Sequence, residues 1–345
     1  MPYVYAGIDE AGFGPLLGPL TVGCACFALD TSPAEGHAPD LWHDLRDAVC
    51  KTHDRKHHRI AVNDSKKLHS PSAGPKRLER GVLAFLHTQA TPTPPDHLGD
   101  LLDAMQPPSP FPPPPSPLDG LPWYAPTDAH PWQPLPAHHD ADALRLDVAH
   151  LTRVAVAAGV RLNHLHVDVL TEARFNREVA ATRNKSAVAF AAVARHLDHL
   201  WQTHGHDHPH VAVDRQGGRT SYRQALAENF PDATITVVVE SPERSAYRLD
   251  DSAGRAMSIT FMKAAENDHL PVALASMAAK YTREMLMARL NRFVASRLAT
   301  LDPPVTIKPT AGYTTDGRRF LDDLRPHLHH FADPSIHEVD LRRIS

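Results

Sequence analysis

Apolar residues in this chain come in short runs and in helically spaced series, and the two kinds alternate. VYAGI near the start and LTVGCACFAL at 20–29 are runs of small, aromatic and β-branched residues, and they predict buried strands. HLHVDVL (164–170), HVAVD (210–214), ATITVVVE (233–240), RSAYRL (244–249) and MSITFMKAAE (257–266) predict further strands. PKRLERGVLAFLHTQ (75–89), ALRLDVAHLTRVAVAAG (143–159) and KSAVAFAAVARHLDHLWQTH (185–204) carry apolar residues three and four apart and predict helices. LPVALASMAAKYTREMLMARLNRFV (270–294) predicts a long helix with Leu274, Met277, Ala278, Tyr281, Met285 and Leu286 on one face. This alternation predicts an α/β fold in which a mixed sheet is covered by helices.

Residues 91–140 break the pattern. They hold 16 of the 32 prolines, including FPPPPSP at 111–117. Repeated proline blocks helices and sheet ladders and favours extended polyproline structure. The segment reads as a proline-rich insertion with one helical turn at LGDLLDAM, pinned to the body by Trp123, Tyr124 and Trp132. A disordered linker is the other reading. The expected division is a discontinuous body of 1–90 and 141–330, the insertion 91–140 and a tail of 331–345.

With 345 residues, 42% hydrophobic, 22% charged and a net charge of −4, the chain has the composition of a globular protein with a real core. Near-neutral charge does not advertise a nucleic-acid binder, but a local basic groove is enough for one. Three cysteines, Cys24, Cys26 and Cys50, are too few for a disulfide framework. Cys24 and Cys26 alternate with small residues and read as buried side chains. No apolar run approaches the roughly 20 residues of a membrane span. The opening residues carry no signal-like segment, so the expected location is cytoplasmic and no membrane partner is expected. Among 25 scattered histidines, HGHDHPH at 204–210 could hold a metal, but its place before a strand favours a solvated loop.

Candidate chemistry lies in carboxylates at strand ends. Asp9 and Glu10 close the first strand, Asp214 closes HVAVD, and Glu266 follows MSITFMKAA with Asp268 two residues on. A sheet fixes such positions rigidly. Carboxylates gathered there repel one another, and Mg²⁺ or Mn²⁺ would neutralise them. Two such ions about 4 Å apart can activate water and stabilise the leaving oxygen in phosphodiester cleavage. Taken singly, each acid is more often a cap, a turn residue or an ion-pair partner. Neighbours on a regular strand face opposite ways, so Asp9 and Glu10 share a site only where the strand bends or ends. Gly7, Gly12 and Gly14 would permit a bend.

These residues also resemble a known family. GIDEAGFGPLLGP (7–19) is similar to the opening signature of type 2 ribonuclease H, the ribonuclease HII family, and NDSKKL (63–68) to its second motif. HVAVD is similar to the strand of its third acid, ASMAAKYTRE (275–284) to its next helix, and AGYTTDGRRFLDDL (311–324) to its Lys-Gly-Tyr-Gly-Thr segment. The motifs stand in family order across most of the chain outside 91–140. The resemblance implies a ribonuclease H-like fold and a divergent, divalent-metal-dependent endonuclease. Its substrates would be the RNA strand of RNA–DNA hybrids, or DNA containing ribonucleotides. Asp9, Glu10 and Asp214 match the family's first three metal-binding acids. Ungapped spacing from Ser276 makes Glu266 the fourth, with Asp268 as the alternative. Gly12, Phe13 and Gly14 of the first motif, Lys66, Lys67, Lys280, Arg283 and Tyr313 match substrate-contacting positions, the two lysines facing phosphates and the tyrosine a sugar.

The departures are specific. Phe13 stands where the family has arginine, so a charged phosphate contact is missing. DRQGG (214–218) replaces Asp-Gly-Asn, and Glu284 replaces Asp. The acids survive better than the substrate-reading elements, which leaves open a protein that binds nucleic acid without cleaving it, or a nuclease for another substrate. KTHDRKHHRIAVNDSKK (51–67) gathers Lys51, Arg55, Lys56, Arg59, Lys66 and Lys67 and runs into the second motif, as a phosphate-tracking surface would. An ordinary solvated basic loop is the alternative.

Overall fold

A computed structural model describes residues 2–34, 37–54, 57–69, 74–89, 94–108, 118, 120–128, 130–331 and 337–344. The FPPPPSP run and the basic residues Arg55 and Lys56 lie outside them.

Among the described residues nine strands form, each over a β-prone run. They are β1 (Tyr3–Ala11), β2 (Leu20–Leu29), β3 (Val49–Cys50), β4 (Ile60–Ala61), β5 (Val160–Leu170), β6 (His210–Asp214), β7 (Thr234–Glu240), β8 (Arg244–Asp250) and β9 (Ala256–Met262). Seven make one sheet in the order β5-β2-β1-β6-β9-β8-β7, and β3 and β4 form a separate parallel pair. The pairs β1–β6 and β6–β9 are parallel, and the other pairs of the large sheet are antiparallel. The sheet is therefore mixed, as expected.

The helices are α1 (Leu41–Asp44), α2 (Ser65–Leu68), α3 (Lys76–Leu86), α4 (Leu98–Met105), α5 (Ala141–Ala157), α6 (Glu172–Thr182), α7 (Lys185–His204), α8 (Arg223–Asn229), α9 (Leu270–Ala299), α10 (Thr314–Leu324) and α11 (Glu338–Leu341). They cover both faces of the sheet and close two cores. Alternate residues of β1 and β2 divide between these cores, as the two-residue period of a strand dictates. Tyr5, Ala25 and Phe27 pack with α3, α5 and α9. Val4, Ala6, Ile8, Cys24 and Cys26 pack with α6, α7 and α8.

The long helix α9 differs from the one-faced helix that its spacing predicts. Residues on every side of it are buried from Leu270 to Arg283. It runs between the sheet and the outer helices, and a helix apolar all round belongs in such a place. The sheet meets it at Gly7 and Gly23. A Cβ on Gly7 would stand 2.1 Å from Val272 N, and one on Gly23 would stand 2.3 Å from Ala275 O. Gly7 thus provides close approach rather than a bend, and β1 stays extended through Ala11.

The strand MSITFMKAAE ends earlier than expected, at Met262. Ala264 takes a left-handed conformation with φ +54°, and Ala265–Asn267 form one 3₁₀ turn. Within 91–140, LGDLLDAM forms helix α4, and the described residues join the core. Leu98, Leu101, Met105, Trp123 and Tyr124 are buried with α9. Arg289 of α9 donates to the carbonyls of Tyr124, Ala125, His130 and Pro131. Among the described residues, no helix is long and apolar enough to cross a membrane.

Candidate active site

Parallel pairing brings the first and third acids side by side. Gly7 pairs with Ala212 and Ile8 with Val213, so Asp9 and Asp214 follow in register at the ends of β1 and β6. Asp9 faces α9, where Ser276 hydrogen-bonds its carboxyl, and its Oδ1 accepts from Glu10 N at 2.7 Å. Ser276 Oγ also lies 3.0 Å from Ser65 Oγ, at the start of the second motif. Asp214 Oδ1 accepts from Ala265 N at 3.1 Å, which ties the 3₁₀ turn of Glu266 to the end of β6. Glu10 points to the other side of the sheet, where its Oε2 accepts from Gln216 Nε2 at 3.1 Å. The β1–β6 ladder ends at Ile8 and Val213 while β1 runs on to Ala11, and both Asp9 and Glu10 lie in the field of Asp214.

The four carboxyls repel. Burial raises Asp9 well above the usual carboxylate range, and Asp214 and Glu10 push it further. Burial raises Glu10 to about 7, with Gln216 and Lys66 opposing the shift and Asp214 adding to it. Burial likewise raises Asp214. Glu266 is raised by burial and then by Asp214 and Asp64. The cation acting on Glu10, Asp214 and Glu266 is Lys66, an exposed residue of α2. Glu266 Oε2 is buried without a hydrogen-bond partner. An oxygen-rich, under-neutralised group with an orphaned carboxylate oxygen fits a hard divalent cation such as Mg²⁺ or Mn²⁺. The acids are neighbours and not a closed cage. Among the described residues, the triples of potential ligand atoms within 4.8 Å of one another are made of histidines and Cys26, not of these carboxylates.

The 3₁₀ turn places Glu266 toward this group and Asp268 away from it. Asp268 is exposed, and its charge acts on Tyr5 and His269. The second motif is built by its own chemistry. Asp64 caps α2 by accepting from Lys66 N at 2.9 Å. Lys67 Nζ donates to Asn267 Oδ1 and Lys51 Nζ to Asn267 O, each at 2.6 Å, so both lysines hold the turn beside Glu266. Arg59 is paired with Asp54 at 2.7 Å.

The remaining positions separate. Lys280 pairs with Glu284 at 2.6 Å and lies over the ring of Tyr313, 5.7 Å from its centroid. Tyr313 is half exposed, at 51%. Arg283 is only 1% exposed, and its guanidinium donates to the carbonyls of Leu17 and Ala311 at 3.1 Å. It braces the loop after β1 from beneath. Gly12 has φ +90°, and a Cβ there would meet Arg283 at 2.8 Å, so this glycine is needed for that loop. Phe13 and Gly14 line a cleft of about 360 Å³ with Lys185, Arg318 and Arg325.

The sequence reading assigned no role to Ser65, Ser276, Gln216 or Asn267. Ser65 stands in NDSKKL, Ser276 in ASMAAKYTRE and Gln216 in DRQGG, so position offered a signal. Asn267 offered none, because its role comes from two lysines more than 190 residues away in the chain.

No family model matches the chain, and no curated protein matches it. Solved structures do. The ribonuclease HII of a PCNA:RNase HII complex from Archaeoglobus fulgidus aligns at 14% identity and a TM-score of 0.39, covering 99% of this chain and 92% of that one. The ribonuclease H2 of Pyrococcus horikoshii aligns at 16% and 0.40, covering 98% and 95%. Bst-RNase HIII in complex with Mn²⁺ aligns at 14% and 0.40, covering 99% and 66%.

Proposed function

We propose that this chain is a divalent-metal-dependent endonuclease that hydrolyses phosphodiester bonds in the RNA strand of RNA–DNA hybrids. The observation that supports the reading is that Asp9, Glu10 and Glu266 all lie in the field of Asp214, with raised pKa values and an orphaned oxygen on Glu266. These four residues would hold Mg²⁺ or Mn²⁺, which when bound supplies Lewis-acid activation of water and neutralises charge at the phosphate. The motif order described above gives the substrate class its support. Lys66 extends from α2 beside the acids and offers a phosphate its positive charge. Tyr313 presents an exposed ring for stacking on a sugar or base, steadied by Lys280. Asp64 and the Asn267 clamp fix where Lys66 and Glu266 stand. Arg283 serves the loop and not the substrate.

Asp9→Asn removes one charge at the centre of the acid group with little change in shape. It should abolish cleavage of a labelled hybrid in Mg²⁺ or Mn²⁺ while far-UV circular dichroism stays unchanged. Full activity in this variant would overturn the reading. Phe13 in place of the family arginine, 40% exposed, favours a second reading in which hybrid is bound and not cut. Retention of a labelled hybrid without cleavage over a range of metals would select it.

A further inference from the structure

A second group of ligand atoms lies at the opposite edge of the sheet from β7, where β5 is the edge strand beneath α7. The two-residue period of β5 puts His164 and His166 on one face. Their rings stack with centroids 4.4 Å apart and planes 10° apart. His199 of α7 meets both, with its centroid 4.9 Å from that of His164 and 5.1 Å from that of His166. One nitrogen from each of the three lies within 4.8 Å of the others. Cys26 and His204 form a second such triple with His164 on its other side.

We propose that His164, His166 and His199 form a binding site for one transition-metal ion, Zn²⁺ before others, that staples the edge strand β5 to helix α7. Imidazole nitrogens select Zn²⁺, Cu²⁺, Ni²⁺ or Co²⁺, whereas Mg²⁺ and Mn²⁺ seek oxygens. The site is therefore chemically distinct from the acid group. Its polar atoms have few other partners, and Cys24 Sγ stands 4.0 Å from His164 Nε2. His166 Nδ1 is buried and has no hydrogen-bond partner. Thr203 Oγ1 stands 3.4 Å from His199 Nδ1, which leaves Nε2 of that ring free to ligate. The Cys26 triple shares only His164 with this one. His166 and His199 are partly exposed, which gives an ion a way in. Of the histidines in HGHDHPH, only His204 borders this group, while His206 and His208 are exposed.

The test uses the full chain without an affinity tag, stripped with chelator and returned to excess Mg²⁺. Titration with Zn²⁺ against a chromophoric chelator should show one tight equivalent and a raised melting temperature. His166→Ala and His199→Ala should each weaken binding by at least about tenfold, the low end of what even outer ligand partners cost. His206→Ala, His208→Ala and Asp9→Asn should bind as the parent does. No tight equivalent, or binding unchanged in the doubly substituted His166→Ala, His199→Ala chain, overturns the site. Loss of binding in Cys26→Ser with retention in His166→Ala also overturns it, because the ion would then sit on the other side of His164. Should the histidine variants fail to fold, Co²⁺ added to the parent decides, with a tetrahedral visible absorption band expected and its absence refuting the site.

Discussion

At the scale of single residues, the site is governed by Glu10 and its neighbours. Its pKa in the metal-free chain is raised to about 7 by burial, so below that pH it carries a proton that a cation must displace. Affinity for Mg²⁺ or Mn²⁺, measured by calorimetry, should rise as pH rises through about 7. The stability sign is the reverse for the chelated protein. The folded state binds more protons than the unfolded chain between the ordinary glutamate range and pH 7, so stability falls as pH rises across that window. Saturating Mg²⁺ should remove that fall. Arg283 makes the opposite point. Its spacing matches a substrate position, yet its guanidinium is spent on backbone carbonyls beneath the loop. Phe13 keeps an exposed ring and shares its cleft with Lys185, Arg318 and Arg325, so cations are near it without being on it.

At the scale of elements, the site depends on how close α9 comes to β1. Gly7 and Gly23 allow helix backbone to rest on strand backbone. This contact carries Ser276 to Asp9 and sets the 3₁₀ turn of Glu266 at the end of β6. Gly7→Ala would force the helix outward and should destabilise the chain by about 3 kcal/mol, in the range seen for overpacked cores. Urea unfolding would show a lower midpoint at unchanged slope. Hybrid cleavage should fall with it, because Ser276 and Glu266 move with the helix.

At the scale of the whole molecule, residues 328 and 331 positions apart meet at the loop after β1. Arg343 is 3% exposed and donates to the carbonyls of Gly12 and Pro15, while its N–H donates to Leu16 O at 2.9 Å. Gly312 O accepts from Leu16 N at 2.8 Å on the other side. Arg343→Ala leaves two inward carbonyls without a charged donor and should cost about 2 kcal/mol. Faster limited proteolysis within residues 12–18, with far-UV circular dichroism retained, would mark the loosened loop.

The alternation of strands and helices was legible in the sequence because burial imposes periods of two and 3.6 on the residues themselves. The acids at strand ends were legible for a related reason, since a charge that follows an apolar run ends the burial. Which acids meet was not. Asp9 and Asp214 are neighbours through the register of β1 on β6, and the left-handed turn at Ala264 aims Glu266 inward and Asp268 outward. The burial of Arg283 and the meeting of His164, His166 and His199 are likewise matters of pairing between distant segments. By itself the sequence determined the main strands and helices, their order and the residue types able to do chemistry. Only the tertiary structure decided which of those residues share a point in space, because side-chain period is a local property and strand register is not.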